Sequence, residues 1–417
     1  MSITHSTHTV NAALFEPLDG LIAASPHTRP CPEFADQDFV SLGVQRVLEC
    51  SESGRAFLQE HGVRFENTPG HSNYFAALQS QRRGDLLGDV SLGLIDAANR
   101  TLHDRLEQIP ELDNYECFAL DGHWHKAAAH DLRHEGVKMA VGHFYSLNLR
   151  THSLRHLAAG QGLHEHDMSA LKRVKPKGLR QGVPKGKRVI LVYDKAGIDF
   201  GYWKRCRQEC AVYMISRVKE NMVFDCLDNV EWDRSDARNH GVTQDQRVAT
   251  REGQLLRIVY YTDPRSGESY EFLTNEMDLP PGIIVELYRR RWEAEKTFDE
   301  LKNKLNQKKA WATSLTAKQA QALLIALTHN LLLLYEQALE SQHGVTNQAE
   351  DQRRAKRMEA ERKVCAKAGQ PLSALVLQAR RATQRSVKFV RWVRQSIRDN
   401  VTEAVAVLRL KVLYSTL

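Results

Sequence analysis

The sequence contains few cysteines, and they are scattered along the chain. Its 417 residues include seven, of which only Cys206 and Cys210 lie close together. No second closely spaced pair accompanies them, so the spacing fits neither a zinc ribbon nor a disulfide-rich secreted domain. We therefore expect reduced thiols, as in cytoplasmic proteins.

Targeting and membrane signals are also missing. The first residues, MSITHSTHTVNAALF, lack the basic stretch and apolar core of a secretory signal. The longest apolar run, ALLIALTHNLLLLY at 322–335, is short and contains Thr, His and Asn, so it is typical of a buried core helix. A net charge of +7 gives only a modest preference for polyanions. We expect a cytoplasmic protein without membrane contact.

The first region, residues 1–114, is predicted to be mainly helical. Residues 1–33 show little pattern and are interpreted as mostly loop. From Phe34 to Leu106, apolar residues recur at spacings of three and four, which predicts helices. Two interpretations of this region remain open, a module that binds DNA ends and a helical cap on the next domain.

Residues 115–310 have the pattern of an α/β core. The runs YECFALD and RVILVYD are strand candidates that end in Asp121 and Asp194. A β-rich insertion is predicted at about 211–279, with a hairpin that turns at Asp263–Gly267. The remaining region, 311–417, is predicted to be helical and basic.

Positive charge is concentrated in two runs. Residues 171–188 contain eight Lys or Arg and no acid, and residues 351–398 contain fourteen against three acids. Such runs are often solvent-exposed faces or loops. Because the two runs flank the α/β core, we interpret them as nucleic-acid contacts.

The stretch ELYRRRWEAEKTFDELKNKLN, at 286–306, is predicted to form one helix. At about 100° per residue, four side chains fall on one line within about 60°: Tyr288, Arg291, Glu295 and Lys302. An apolar stripe lies beside them: Leu287, Phe298, Leu301 and Leu305. Three further acids fall on the opposite side and are predicted to face solvent: Glu286, Glu293 and Glu300. An ion pair between Arg291 and Glu295 would explain only two members of the line.

The spacing Tyr-x2-Arg-x3-Glu-x6-Lys resembles the signature of IS4-type DDE transposases. LDG at 120–122 and VYD at 192–194 add the two aspartates in the order that this family has. The resemblance, which covers about 115–340, implies a ribonuclease-H-like core interrupted by the β-rich insertion. It also implies a DNA transposase of a mobile element, with DNA transposition and DNA recombination as its activities. Its implied partners are transposon ends and target DNA, bound by a homodimer.

The chemistry of strand cleavage and transfer suits three carboxylates. Two Mg²⁺ or Mn²⁺ ions can stabilise both the attacking and the leaving oxygen, and hard cations prefer oxygen ligands. We predict Asp121, Asp194 and Glu295 as catalytic metal ligands. Competing acids do not end an apolar run: Asp113, Asp131 and Asp199. The resemblance implies that Tyr288, Arg291 and Lys302 contact DNA phosphates.

Alternative interpretations exist for Trp292, for a group of histidines and for the protein as a whole. Trp292 would stack on a displaced base, or it would pack in the core. Zinc binding by a histidine group is disfavoured because its spacing is unfamiliar; the group comprises His123, His125, His130 and His134. For the whole protein, the alternatives are a ribonuclease-H-like nuclease without strand transfer and a catalytically inactive DNA-binding protein.

Overall fold

The protein is a mixed α/β structure built on one large sheet with helices on both faces. The computed structural model describes residues 9–50, 53–65, 67–134, 137–138, 141–160, 167–264, 266–367, 369 and 387–415. Alternate residues of the central strand contribute to two different apolar cores. Cys117 and Ala119 face one core, whereas Phe118 and Leu120 face the other. This alternation is expected of a strand buried on both sides.

Five helices precede the sheet: α1 (Val10–Ala24), α2 (Asp36–Glu49), α3 (Gly54–Arg64), α4 (His71–Leu78) and α5 (Gln81–Thr101). The prediction that residues 1–33 are mostly loop is wrong for α1. Thr9 caps that helix through its side chain, and buried apolar residues recur every fourth position: Val10, Leu14, Leu18 and Ile22. This spacing forms an apolar face that packs on α5 and α2, despite Pro17 inside the helix.

Nine strands form the main sheet, in the order β5-β4-β1-β6-β7-β11-β10-β9-β8. The strands of its first half are β1 (Tyr115–His125), β4 (Val141–Asn148), β5 (Leu154–Ala159), β6 (Arg188–Val192) and β7 (Val212–Arg217). β1 is parallel to β6, and β6 is parallel to β7. A separate two-stranded ribbon pairs β2 (Arg133–His134) with β3 (Val137–Lys138). Helices α6 (Asp167–Lys172) and α7 (Phe200–Cys210) lie between these strands in sequence.

The second half of the sheet comes from the segment predicted to be β-rich. It contains β8 (Asp225–Asn229), β9 (Val242–Ala249), β10 (Leu255–Thr262) and β11 (Ser269–Thr274). The predicted hairpin is present, because Thr262 pairs with Ser269 and the turn between them starts at Asp263. β11 pairs with β7, so this segment extends the sheet and does not form a separate one.

The chain after β11 is helical, with α8 (Pro281–Arg290), α9 (Trp292–Asp299), a π-helical turn (Glu300–Lys304), α10 (Leu315–His343), α11 (Gln348–Lys367), α12 (Val387–Arg398) and α13 (Glu403–Ser415). In the described part of the chain, α10 alone is long and apolar enough to cross a membrane. Its apolar residues are buried against α5, α2 and β5. This position agrees with the predicted core helix.

Candidate active site

Asp121 lies in β1, and Asp194 lies just beyond the end of the neighbouring parallel strand β6. Ala119 of β1 pairs with Val192 of β6, and each aspartate follows its member of that pair by two residues. The two side chains are close enough for the charge of Asp194 to raise the pKa of Asp121. Asp194 caps a short turn after β6, where its side chain accepts a hydrogen bond from the Ala196 N–H.

The sequence pattern predicted that the strand ends in Asp121. In the structure, Asp121 lies within the strand. β1 continues to His125 and remains paired with β4 throughout. The apolar run stops at Leu120, but alternation continues beyond it, with His123 and His125 buried and Trp124 exposed. Polar residues on a half-buried strand therefore concealed its true length.

Glu295 approaches the aspartates from helix α9, which packs on β1. Phe298, one turn further along α9, lies parallel to the His123 ring, with ring centroids 5.8 Å apart. This contact holds Glu295 near the same end of β1. The Glu295 side chain is 42% exposed, and its Oε1 accepts from an Arg291 Nη2 at 2.6 Å.

The charges of the three carboxylates interact. The pKa of Asp121 is raised to about 6, mainly by burial and also by the nearby charges of Glu295 and Asp194. A hydrogen bond from the Gly122 N–H and the charge of Arg291 act in the opposite direction. The site therefore gathers negative charge that the protein itself only partly neutralises.

A divalent metal fits the chemistry of these donors, which are hard carboxylate oxygens with unbalanced charge. Within the described ranges, however, no three His, Cys, Asp or Glu side chains are grouped closely enough to enclose an ion. Each carboxylate has another partner instead. Asp121 accepts from Gly122, Asp194 from Ala196, and Glu295 from Arg291.

The predicted single helix at 286–306 is wrong. It is interrupted at Arg291 and ends in a π-helical turn, so the predicted line is only partly preserved. Arg291 still joins Tyr288 to Glu295, because its guanidinium lies 5.8 Å from the Tyr288 ring centroid. Lys302 falls within the π turn, where its charge contributes to lowering the pKa of the largely buried His123.

The prediction that Glu286, Glu293 and Glu300 face solvent is also wrong, because all three are buried. Glu286 accepts a hydrogen bond from Arg290 at 3.0 Å, and Glu293 bonds to His152 at 2.6 Å. The helical segment is enclosed on this side as well, a feature that its own sequence does not reveal.

The surroundings of Trp292 and of the histidines that the structure describes differ from two of the alternatives that the sequence left open. Trp292 is 61% exposed, which excludes core packing. The predicted histidine group does not assemble, because His130 is exposed whereas His123 and His125 are buried. The side chain of His134 lies outside the described residues.

The structure adds cationic residues that sequence reasoning missed. An open cleft of about 470 Å³ beside Asp194 includes Lys195 and Lys219 in its lining. Arg217 ends β7, packs on the Tyr270 ring at 4.9 Å and contributes positive charge near Tyr288. In the sequence, Lys195 directly follows VYD, and Arg217 and Lys219 stand at the end of the strand AVYMISRV and just after it.

A family comparison identifies the fold region that carries this site. The model of the transposase DDE domain matches residues 114–331, which is more than half of the chain. The chain belongs to the DDE transposase family. The match begins just before β1 and ends within α10, so it includes all three carboxylates of this transposase. No curated protein matches the chain.

Membership in this family gives the transposase a DNA partner and a transposase-type enzymatic function. The elements within the match that approach one another at the site are β1, the end of β6, and α9.

Proposed function

We propose that this protein is an IS4-type transposase that binds the terminal inverted repeats of an insertion sequence and cuts and joins DNA strands. The observation that carries this proposal is the placement of Asp121 beside Asp194, with Glu295 approaching from α9 and all three charges interacting. A central first strand, a parallel neighbour and a packed helix support a ribonuclease-H-like core.

In this proposal, Asp121, Asp194 and Glu295 hold two Mg²⁺ or Mn²⁺ ions. When bound, the ions stabilise the attacking and leaving oxygens of the phosphodiester. Arg291 has a second task, because its present partner is Glu295. With Glu295 serving as a metal ligand, the Arg291 guanidinium would be available to donate two parallel hydrogen bonds to a DNA phosphate.

Further residues around the carboxylates are suited to DNA. Tyr288 lies under the Arg291 guanidinium, and Lys302 is exposed. Lys195 and Lys219 line the open cleft at Asp194, where phosphate charge would be favourable. The exposed Trp292 offers a stacking surface for a base displaced during hairpin formation.

The two basic runs differ in how much charge they leave for DNA. Within 171–188, many cations already have protein partners; for example, Arg180 donates to Cys210 and Lys187 carbonyls, and Lys172 pairs with Asp199. Helix α11 of the second run is largely exposed. We therefore assign general DNA attraction mainly to α11. In this proposal the protein is cytoplasmic and binds DNA as a homodimer.

The N-terminal helices share one apolar core with α8 and α10. This packing favours the helical-cap interpretation of residues 1–114 over a detached DNA-binding module. Base reading by an exposed part of this region is compatible with a cap.

The experiment that tests the proposal uses a plasmid in which the inverted repeats that flank the gene surround a marker. Wild-type protein with Mg²⁺ is expected to excise the marker and join it to a second plasmid, whereas Asp121→Asn and Asp194→Asn proteins bind the ends without cutting. Excision without joining would support the nuclease alternative. Absence of cutting by a folded, end-bound wild-type protein would support the inactive alternative.

A further inference from the structure

Trp124 is a large aromatic residue left exposed beyond the carboxylates. It lies in β1, three residues after Asp121, and is 47% exposed. Along this strand, Asp121, His123 and His125 point to one face, so Trp124 and Lys126 point to the other. Three residues of strand correspond to about 10 Å, so Trp124 is close to the site but on the opposite side of the sheet.

The indole rests on a glycine of the adjacent strand. Trp124 pairs with Gly142 of β4, and a Cβ added to Gly142 would lie 3.1 Å from the Cζ2 and Cη2 atoms of the indole. The carbonyl of Gly142 also accepts a hydrogen bond from the Gly160 N–H at 2.8 Å. The absence of a side chain at Gly142 thus gives the ring a fixed backbone support.

Two lysines flank the ring on the same face. Lys126 forms a parallel bridge with Lys309, and the connecting hydrogen bonds, Lys126 N–H to Lys308 O and Ala310 N–H to Lys126 O, are both 2.8 Å. Bridge partners project to the same side of a sheet, so Lys126 and Lys309 extend together. Both are exposed, and neither has an ion pair with any residue that the structure describes.

We propose that Trp124, supported by Gly142 and flanked by Lys126 and Lys309, is a stacking site for an unpaired base of the DNA substrate. The inference rests on the proposed function and extends it, because this site is separate from Trp292 on α9. An aromatic platform beside cations binds unpaired strands with little dependence on sequence, since every base has a face that can stack. The bridge to Lys309 holds the backbones of the two lysines together at the end of β1, next to Trp124.

The test measures binding of the full-length protein to a fluorescein-labelled single-stranded oligo-dT and to a blunt duplex. Trp124→Ala is expected to weaken binding to the single strand about tenfold, with little change for the duplex. Trp124→Phe should retain most of the affinity, because a smaller ring still stacks. Trp232→Ala is the matched control, since Trp232 is a partly exposed tryptophan that stacks with Arg234 in the loop after β8.

The lysines are tested through salt dependence. The slope of log affinity against log salt for the single strand should fall by about 1.4 in Lys126→Gln/Lys309→Gln, because each lost phosphate contact on a single strand contributes about 0.7. Trp124→Ala should leave this slope unchanged, because stacking releases no counterion.

Outcomes separate this inference from the proposed function. If wild-type protein binds both DNAs and Trp124→Ala binds the single strand as tightly, or loses both affinities equally, the stacking site is overturned while the transposase proposal stands. If wild-type protein binds neither DNA nor cleaves its ends, the proposed function itself is wrong. Thermal melting of each variant verifies that the fold is intact.

Discussion

Two glutamates of helix α9, separated by one residue, have opposite surroundings. Glu293 is 5% exposed and bonds to His152 within the protein. Glu295 has a side chain that is 42% exposed and points towards the two aspartates, with Arg291 as its partner. The first carboxylate is matched by a buried partner in the fold, whereas the second belongs to a group with excess negative charge.

This difference shows that residue type does not decide the role of an acid on this segment. A buried carboxylate with one partner fixes the helix on the protein, and removing either partner leaves a buried polar group without compensation. A carboxylate that is close to other carboxylates is repelled by their charge, so binding of an added cation to the group is favourable. Substitutions at Glu295 and Glu293 should therefore affect cleavage and stability separately.

The largest effect is expected for Glu295→Gln. The substitution keeps the shape and removes the charge, so cleavage of transposon ends should fall by about a thousandfold or more. Stability should change little, because Glu295 is the exposed member of this pair, an i,i+4 helix pair contributes only about 0.3–0.5 kcal/mol, and the Gln amide oxygen can still accept from Arg291. End cleavage at saturating Mg²⁺ and thermal melting measure the two quantities. Near-normal cleavage would remove Glu295 from the predicted ligands.

Glu293→Ala is expected to show the reverse pattern. Despite burial, which by itself raises the pKa of Glu293, the contact with His152 contributes to a net pKa below the usual value, so the carboxylate accepts a hydrogen bond from the imidazole. Removing one partner of such a buried pair should destabilise the fold by about 3 kcal/mol. Urea unfolding measures the loss.

The double variant Glu293→Ala/His152→Ala provides the control for this prediction. It should lose less stability than the sum of the single variants, because neither partner remains buried alone. Additive losses would show that Glu293 and His152 act independently, and the contrast with Glu295 would then lose its basis.

Buried groups without partners predict a smaller, pH-dependent effect. Among the residues that the structure describes, the ring nitrogens of His125 have no hydrogen-bond partner, and neither does Nε2 of His143. Burial lowers the pKa of His125 to about 3 and that of His143 well below its usual value. Both pKa values are lower than in the unfolded chain, so the unfolded state binds more protons below about pH 6.5.

Stability is therefore fully present above about pH 6.5 and is lost as the pH falls towards the folded-state values. Between about pH 7.5 and pH 5.5, each of the two histidines should reduce the free energy of unfolding by about 1 kcal/mol. Urea unfolding at the two pH values checks this, with His143→Phe expected to reduce the difference. If stability did not depend on pH, the two imidazole rings would not be buried in their neutral form in the folded protein.

The smallest effect is expected from exposed cations of α11. Lys356→Gln, Lys363→Gln and Lys367→Gln should each weaken binding to any duplex slightly and together reduce the salt slope by at most about 2.7. Arg391 offers a similar exposed site, but Arg394 donates to Cys50 and packs against the N-terminal helices. Arg380 and Arg381 lie outside the described residues. A change in cleavage at saturating protein would place α11 in the active site.

The sequence predicted the elements better than the contacts among them. Local periodicity, which can be read from the sequence alone, predicted the strands, the hairpin at Asp263–Gly267 and the buried α10. The aspartates were found because each follows an apolar run. Buried Glu293 contacts His152, which is distant in sequence, and no pattern within the helix specifies that contact. Buried and exposed side chains also alternate after Asp121, but the buried positions are histidines, so the sequence did not show an apolar pattern there.

The bridge between Lys126 and Lys309 has a consequence for biosynthesis. β1 is among the first strands to be translated, yet its far end is paired by residues that emerge only after α9. Contacts so distant in sequence form slowly, because a long loop must close before they contribute. A nascent chain that stops between residues 194 and 295 carries both aspartates and lacks the glutamate. Premature termination thus yields fragments that lack the complete set of carboxylates.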